Sequence, residues 1–260
     1  MSVVRTSRAD GVMTVTVDAP PVNAMGAELL EALDSAARAL ADDTDTRIVV
    51  LTGTGNKAFM AGADIAEFSD LIQKGRDGIE AYTAWTAQIF AAWRQLRQPV
   101  IAAAQADALG GGLEMAMNCD LIVLDERARV GLPEVRLGLI PGAGGTQRLA
   151  ARIGAARAKR LIMLGSALPA TEAHAMGIVD VVAPAGAALE TATELARKLA
   201  ELPAVAVQAI KRAVDAAWEP ILRAGLDKER EAFLRVFGSA DFHEGYTAFL
   251  EKRKPVFEHR

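Results

Sequence analysis

Short apolar runs and longer amphipathic ones alternate along the first two thirds of the chain. Residues 12–17 (Val-Met-Thr-Val-Thr-Val) are β-branched and partly alternating, which predicts a strand, with residues 3–8 as its hairpin partner and Pro20-Pro21 as the break. Residues 26–41 place Leu29, Leu30, Leu33, Ala36, Ala37 and Leu40 at helical spacing, the pattern of an amphipathic helix. Ile48-Val49-Val50-Leu51 reads as a buried strand that ends in the glycine-punctuated Thr52-Gly53-Thr54-Gly55-Asn56. Strand, helix and strand in this order argue for an α/β architecture.

The alternation continues. Asp64 followed by Glu67 has the spacing of a capping box, so a helix is expected to begin there. Residues 77–97 form a long helix whose Trp85, Ile89, Phe90, Trp93 and Leu96 read as core. Residues 99–104 are a strand leading into Gly110-Gly111-Gly112, and residues 121–124 are another. Residues 161–183 read as a short helix–turn–strand unit ending at 178–182. Pro184 and Gly186 then mark a boundary, giving a core over 1–185 and a helical region over 186–260. That region reads as helices over 187–201, 204–217 and 219–237, with a last one at 241–253 carrying Phe242, Tyr246, Phe249 and Leu250 on one side.

Composition narrows the function classes. The chain has 260 residues, 51% hydrophobic and 24% charged, with a net charge of −4, which describes a globular protein with no overall attraction to nucleic acid. The basic segment Arg148, Arg152, Arg157, Lys159 and Arg160 is read as a solvated helical face. The single cysteine, Cys119, excludes an intramolecular disulfide and reads as a small core residue in a reducing compartment. The first ten residues lack the apolar core of a signal peptide, and no run reaches the ~18 apolar residues of a membrane span, so the expected location is cytoplasmic.

Three glycine- or alanine-rich turns feed helical patterns: 61–64, 110–112 and 141–146. Such turns let a ligand approach the backbone, and a helix start offers unpaired N–H groups. Two carboxylates sit in apolar surroundings near them, Glu114 inside Leu113-Glu114-Met115-Ala116-Met117 and Glu134 after Pro133. A glutamate in the first turn of a helix is favourable by about 0.3–1 kcal/mol without any function, so the Glu114 stretch alone decides nothing. Several chemistries lose their signatures: there is no GxxxxGK[ST], no GxGxxG and no GxSxG. His174, His243 and His259 lie far apart with no metal-ligand spacing, so no metal site is expected.

At this point the residues carry a family likeness. Pro21-Val22-Asn23-Ala24, Lys57-Ala58-Phe59 through Asp64-Ile65, Ala108 to Glu114, Pro133-Glu134 through Thr146, and Glu244-Gly245 with Phe249 to Pro255 occur in one order. Together they resemble the crotonase superfamily, most closely the enoyl-CoA hydratases, from about Val12 to Phe257. The resemblance implies an α/β fold: a crotonase-type spiral of ββα units, then a helical C-terminal region that packs between subunits of a homotrimer or homohexamer. It implies that the backbone N–H groups of Ala63 and Gly111 form an oxyanion hole and that Glu114 and Glu134 are the catalytic pair. It further implies acyl-CoA contacts at Lys57, Ala61, Asp64, Ile65, Gly142 and Lys252, although by its spacing Asp64 reads as a helix cap. Coenzyme A arrives as part of the substrate, so no separate cofactor is expected. Two departures stand out: Gln105-Ala106 where many relatives have Asn-Gly, and Pro20-Pro21 without the basic residue often found there.

The function so implied is reversible hydration of a trans-2-enoyl-CoA to the 3-hydroxyacyl-CoA, as in fatty-acid β-oxidation. A Δ3,Δ2-enoyl-CoA isomerase or a specialised acyl-CoA dehydratase is the alternative on the same scaffold. Family isomerases commonly retain one of the two acids, so the presence of both favours hydration. An RNA-binding or assembly protein, supported only by the basic segment 148–160, is the alternative from another class.

Overall fold

A strand–strand–helix turn, repeated along the chain, generates the architecture; the computed structural model describes residues 3–259. It begins with the hairpin β1 (Val4–Ala9) and β2 (Val12–Val17), paired antiparallel from Val4 opposite Val17 to Ala9 opposite Val12. Asp10 and Gly11, at φ of 54° and 77°, make the two-residue turn whose twist suits a hairpin. Helix α1 (Ala27–Asp42) follows. Then come three strand pairs: β3 (Ile48–Gly53) with β4 (Ala58–Met60), β5 (Val100–Ala104) with β6 (Asp107–Leu109), and β7 (Leu121–Asp125) with β8 (Arg129–Gly131). The first member of each pair joins a six-stranded sheet that ends in β10 (Val181–Ala183), ordered β1-β2-β3-β5-β7-β10 and parallel from β2 onward. The second joins a four-stranded sheet that ends in β9 (Ala167–Pro169), ordered β4-β6-β8-β9. The chain therefore spirals, and each turn leaves a loop at the same end of the molecule.

Helices α2 (Phe68–Gln95), α3 (Gly111–Asn118), α4 (Gly145–Ile153) and α5 (Ala155–Leu164) follow the successive pairs. Strand β9 (Ala167–Pro169), helix α6 (Ala170–Ala175) and strand β10 (Val181–Ala183) complete the spiral. Helices α7 (Ala188–Ala200), α8 (Ala204–Phe237) and α9 (Ala240–Leu250) form the C-terminal region. No helix of the described residues is long and apolar enough to cross a membrane.

Alternation along the strands divides the core. Val49, Leu51, Val100 and Ala102 face a core shared with α1, α2 and α3, while Ile48, Val50, Ile101 and Ala103 face α7. A parallel sheet covered on both faces explains why these strands read as unbroken apolar runs. Ala188, Ala192, Ala196 and Ala200 recur every fourth residue, so α7 presents a smooth alanine stripe to the sheet. Thus α7, beyond the boundary expected at 185/186, seals one face of the spiral core. A third cluster joins α2, α8 and α9, in which Phe68, Phe233, Phe237 and Phe242 pack together; the Phe237 and Phe242 rings stack 4.3 Å apart.

The structure departs from the sequence reading in several places. The helices expected at 204–217 and 219–237 are one continuous α8 with Pro220 inside it. Proline is tolerated there because residues 216–221 are all exposed, so water can satisfy the carbonyl that loses its partner. The helix expected at 77–97 begins at Phe68, with a break at Gly75, whose φ of 64° no other residue type adopts cheaply. The helix expected at 241–253 spans 240–250. Between 161 and 183 the chain forms the end of α5, β9, α6 and β10 rather than one helix and a strand. The capping box expected at Asp64 and Glu67 is half made. Asp64 accepts a bond from the Ala66 N–H at 3.0 Å, opening a single 3₁₀ turn over Ile65–Glu67. Glu67 instead accepts from the Ala27 N–H at the start of α1, because the Asp64 N–H already donates to the Met25 carbonyl.

Two turns cross at the centre of the molecule. A Cβ on Gly112 would lie 1.8 Å from the Met60 carbonyl oxygen, and one on Gly62 would lie 3.2 Å from the Gly111 nitrogen. Asn23, itself at φ 53°, braces the first turn by donating to the Thr54, Ala58 and Phe59 carbonyls while accepting from the Ala19 N–H. Gln105 donates to the Ala58 carbonyl at 3.1 Å and so ties the β5–β6 connection to the same loop. Because its obstacle is backbone, Gly112→Ala is expected to destabilise the protein by about 1–3 kcal/mol, read as a lowered midpoint of urea unfolding.

Candidate active site

The crossing turns open onto a cavity of about 410 Å3. Ala61, Gly62 and Ala63 after β4, and Leu109, Gly110 and Gly111 after β6, form one wall. Neither the Ala63 nor the Gly111 N–H has a backbone acceptor among the described residues. For Gly111 the reason is its place as the first residue of α3, where helical N–H groups have no partner in the helix. For Ala63 it is the bridge to Met25, which engages the flanking Gly62 carbonyl and Asp64 N–H and leaves the Ala63 N–H out. Two free donors thus stand side by side in backbone that small residues leave accessible.

The two carboxylates predicted from the sequence converge on this cavity. Glu114, on the first turn of α3, is only 4% exposed. Its Oε1 accepts from the Ala143 N–H at 2.8 Å and the Gly145 N–H at 2.7 Å, at the loop that starts α4. Burial, then repulsion from Glu134 and Glu229, pushes its proton affinity well above that of an ordinary glutamate, and the two amides oppose this. Glu134 opens the 3₁₀ turn after β8, close enough to Gly110 that a Cβ there would lie 3.1 Å from its Oε1. Its Oε2 is buried with no hydrogen-bond partner in the protein. Burial, with Glu229 adding to it, raises the Glu134 pKa to about 7. An acid whose unpartnered oxygen is buried and whose pKa lies near neutrality can hold or release a proton at working pH.

The remainder of the wall is largely apolar. Phe68, Phe90, Leu139, Ile140, Phe233 and Phe249 line it, and the Thr83 and Thr86 hydroxyls donate to carbonyls of their own helix. Such a wall suits a hydrocarbon chain better than a polar one.

Of the other residues expected to contact a ligand, Ala61, Ile65 and Gly142 line the cavity. Asp64 lies beside it as the cap of the 3₁₀ turn, and is not among its lining residues. Lys57, in the loop before β4, and Lys252, after α9, are exposed and lie outside the lining. The basic segment is only partly a solvated face: Arg157, Lys159 and Arg160 are exposed, whereas Arg152 pairs with Asp180 at 3.3 Å and Arg148 is largely buried. Among the described residues no cluster of side chains could hold a metal ion.

Sequence reasoning missed Glu229, a third buried carboxylate 4% exposed, and Phe233, which packs on Gly142. The available signal was the spacing Gly225, Glu229, Phe233, which puts an acid between a glycine and a phenylalanine on one helix face.

These pKa directions fix a sign for the pH dependence of stability. The folded state holds a proton on Glu134 that the unfolded chain gives up near 4.5, so stability falls as pH rises from about 4.5 through about 7. Glu134→Gln removes that contribution, and the fall in Tm between pH 5 and pH 8 is expected to be shallower than in the wild type.

Residues 7–260 match the family model described as enoyl-CoA hydratase/isomerase. A Mycobacterium tuberculosis protein named "Probable enoyl-CoA hydratase echA8" is 41% identical over 250 residues, covering 95% of this chain and 94% of its own. The 2,3-dehydroadipyl-CoA hydratase of Escherichia coli K12 is 38% identical over 261 residues, covering 100% of both. Among solved structures, an enoyl-CoA hydratase from Mycobacterium avium subsp. paratuberculosis superposes with a TM-score of 0.86 at 30% identity, covering 98% of each chain. With the family model matched over nearly the whole chain, relatives about 40% identical along their length and a matching fold, the chain belongs to the enoyl-CoA hydratase/isomerase family of enzymes.

Proposed function

We propose that this enzyme reversibly hydrates trans-2-enoyl-CoA thioesters to 3-hydroxyacyl-CoA. The observation that carries the reading is the convergence of Glu114 and Glu134 on one cavity beside the free Ala63 and Gly111 N–H groups. The thioester oxygen would lie between those two N–H groups. As water adds at the β-carbon, negative charge moves onto that oxygen, and two fixed donors favour the enolate over the ground state. One such donor is worth about 3–4 kcal/mol of transition-state stabilisation in other enzymes.

The acids complete the addition. An ionised carboxylate accepts a proton from the attacking water, whose oxygen bonds to the β-carbon; the α-carbon takes a proton from the protonated carboxyl of the pair, and a proton passing from the first acid to the second restores the starting state. Net, H and OH add across the double bond, and reversal is elimination of water. Two carboxyls in one desolvated site repel each other, so one proton shared between them is the stable state near neutrality. The pair titrates as a unit.

Contacts of Lys57 and Lys252 with the coenzyme A moiety belong to the same proposal, drawn from the family likeness and supported by their exposure. So does assembly as a homotrimer or homohexamer, supported by the exposed Ile210, Val214, Trp218 and Ile221 along one side of α8.

The test follows loss of the conjugated enoyl-thioester absorbance with crotonyl-CoA. Wild-type turnover is expected, with kcat lowered about 10²–10⁴-fold in Glu114→Ala and in Glu134→Ala. Full turnover in either variant would remove the two-acid mechanism, and isomerisation of a 3-enoyl-CoA by a wild type silent toward crotonyl-CoA would replace hydration.

A further inference from the structure

The loop that serves Glu114 also serves a second carboxylate. Four consecutive N–H groups, on residues 143–146, alternate between two acids. Those of Ala143 and Gly145 donate to Glu114 at 2.8 and 2.7 Å. Those of Gly144 and Thr146 donate to Glu229 at 2.7 and 2.9 Å, and the Thr146 hydroxyl donates to Glu229 as well. The alternation requires a local twist, which Gly144 supplies at φ 104°. The start of α4 is thus held between a carboxylate of the spiral core and one of the C-terminal helix.

Helix α8 is shaped for this grip. Gly225, Glu229 and Phe233 lie on one face at intervals of four. A Cβ on Gly225 would lie 2.0 Å from the Gln147 Oε1, and one on Gly142 would lie 2.7 Å from the Phe233 ring. The glycines permit the approach, Phe233 covers one end of the loop, and Glu229 binds its middle. Glu229 is not itself among the residues lining the cavity.

We infer that Glu229 is a positioning residue of the reaction: it holds the 143–146 backbone so that two amides stay on Glu114, and the carboxylate form that three donors of that loop stabilise against burial places negative charge beside the Glu114–Glu134 pair. This rests on the proposed hydratase chemistry. Its charge acts in the expected sense, raising the proton affinity of both catalytic acids. The other charged groups around Glu229 are few. Arg148 of α4 is largely buried, with its Nε unpartnered, and attracts Glu229. Arg94 of α2 and Asp215 of α8 bear on Arg148 in turn, with opposite signs. Asp227, Lys228, Arg230 and Glu231, next to Glu229 in sequence, are exposed to water. Glu229 therefore stands between the catalytic pair and one buried cation, where its charge is weakly screened.

Glu229→Gln and Glu229→Asp separate the two parts of the role in the full chain. In Glu229→Gln the charge is gone and one oxygen facing an N–H becomes an amide nitrogen. With crotonyl-CoA, kcat is expected to fall about tenfold or more while KM stays within about twofold, and the alkaline limb of the kcat profile to move down by about half a pH unit or more. Glu229→Asp keeps the charge and loses the reach, so kcat is expected to fall with the pH limbs unmoved. Carboxyl titration by NMR of protein labelled at the glutamate side-chain carbons reads the same charge without turnover, with Glu114→Gln and Glu134→Gln assigning the two signals. Both signals are expected to titrate lower in Glu229→Gln. Unchanged titrations in Glu229→Gln, or wild-type kcat in Glu229→Asp, would overturn the inference. A wild type inert toward every enoyl-CoA, with the titration shift intact, would instead overturn hydration and leave the electrostatic role of Glu229 standing.

Discussion

Everything at the site depends on two backbone segments passing closer than any side chain allows. The turn after β4 and the start of α3 meet where Gly112 abuts the Met60 carbonyl and Gly62 abuts the Gly111 nitrogen. This approach sets two free N–H groups side by side, and it is available only to residues without a Cβ at the contact. The parallel sheets impose it, since β4 and β6 are neighbours and their following turns emerge at the same edge. The spiral is therefore the device that brings together turns separated by about fifty residues of sequence.

Carboxylates are the costly component of this arrangement. Three glutamates, Glu114, Glu134 and Glu229, are removed from water within one region, and burial is the first cause of the raised proton affinity in each. The compensation comes from backbone amides at the start of α4, where a helix N-terminus favours negative charge. Glu134 lacks such donors on its Oε2, which leaves it the acid with an unfilled hydrogen-bonding position. The two acids are thus held differently: Glu114 is fixed by two amides, whereas Glu134 keeps one buried oxygen unpartnered.

The elements were legible where one physical rule dominates. Strands β3, β5 and β7 are unbroken apolar runs because both sheet faces are covered, and α1 shows its buried stripe at helical intervals. The reading failed where tertiary context outweighs local preference. Pro220 should end a helix, but an exposed helix face tolerates it, and α8 runs on. Asp64 and Glu67 have the spacing of a capping box, but the bridge at Met25 had already taken the Asp64 N–H. Glu229 was not singled out from the sequence, because the groups it binds lie more than eighty residues away.

By itself the sequence determined the α/β class, the glycine turns, the two acids Glu114 and Glu134 and the family likeness, because each is carried by local periodicity or by residue types in a short stretch. Only the tertiary structure decided that Ala63 and Gly111 face one cavity with both donors free, that Glu134 keeps an unsatisfied oxygen, and that α8 closes the loop from behind with a third carboxylate. The physical reason is that proton affinity and hydrogen-bond availability depend on burial and on partners distant in sequence. Neither exists until the spiral has brought those partners together.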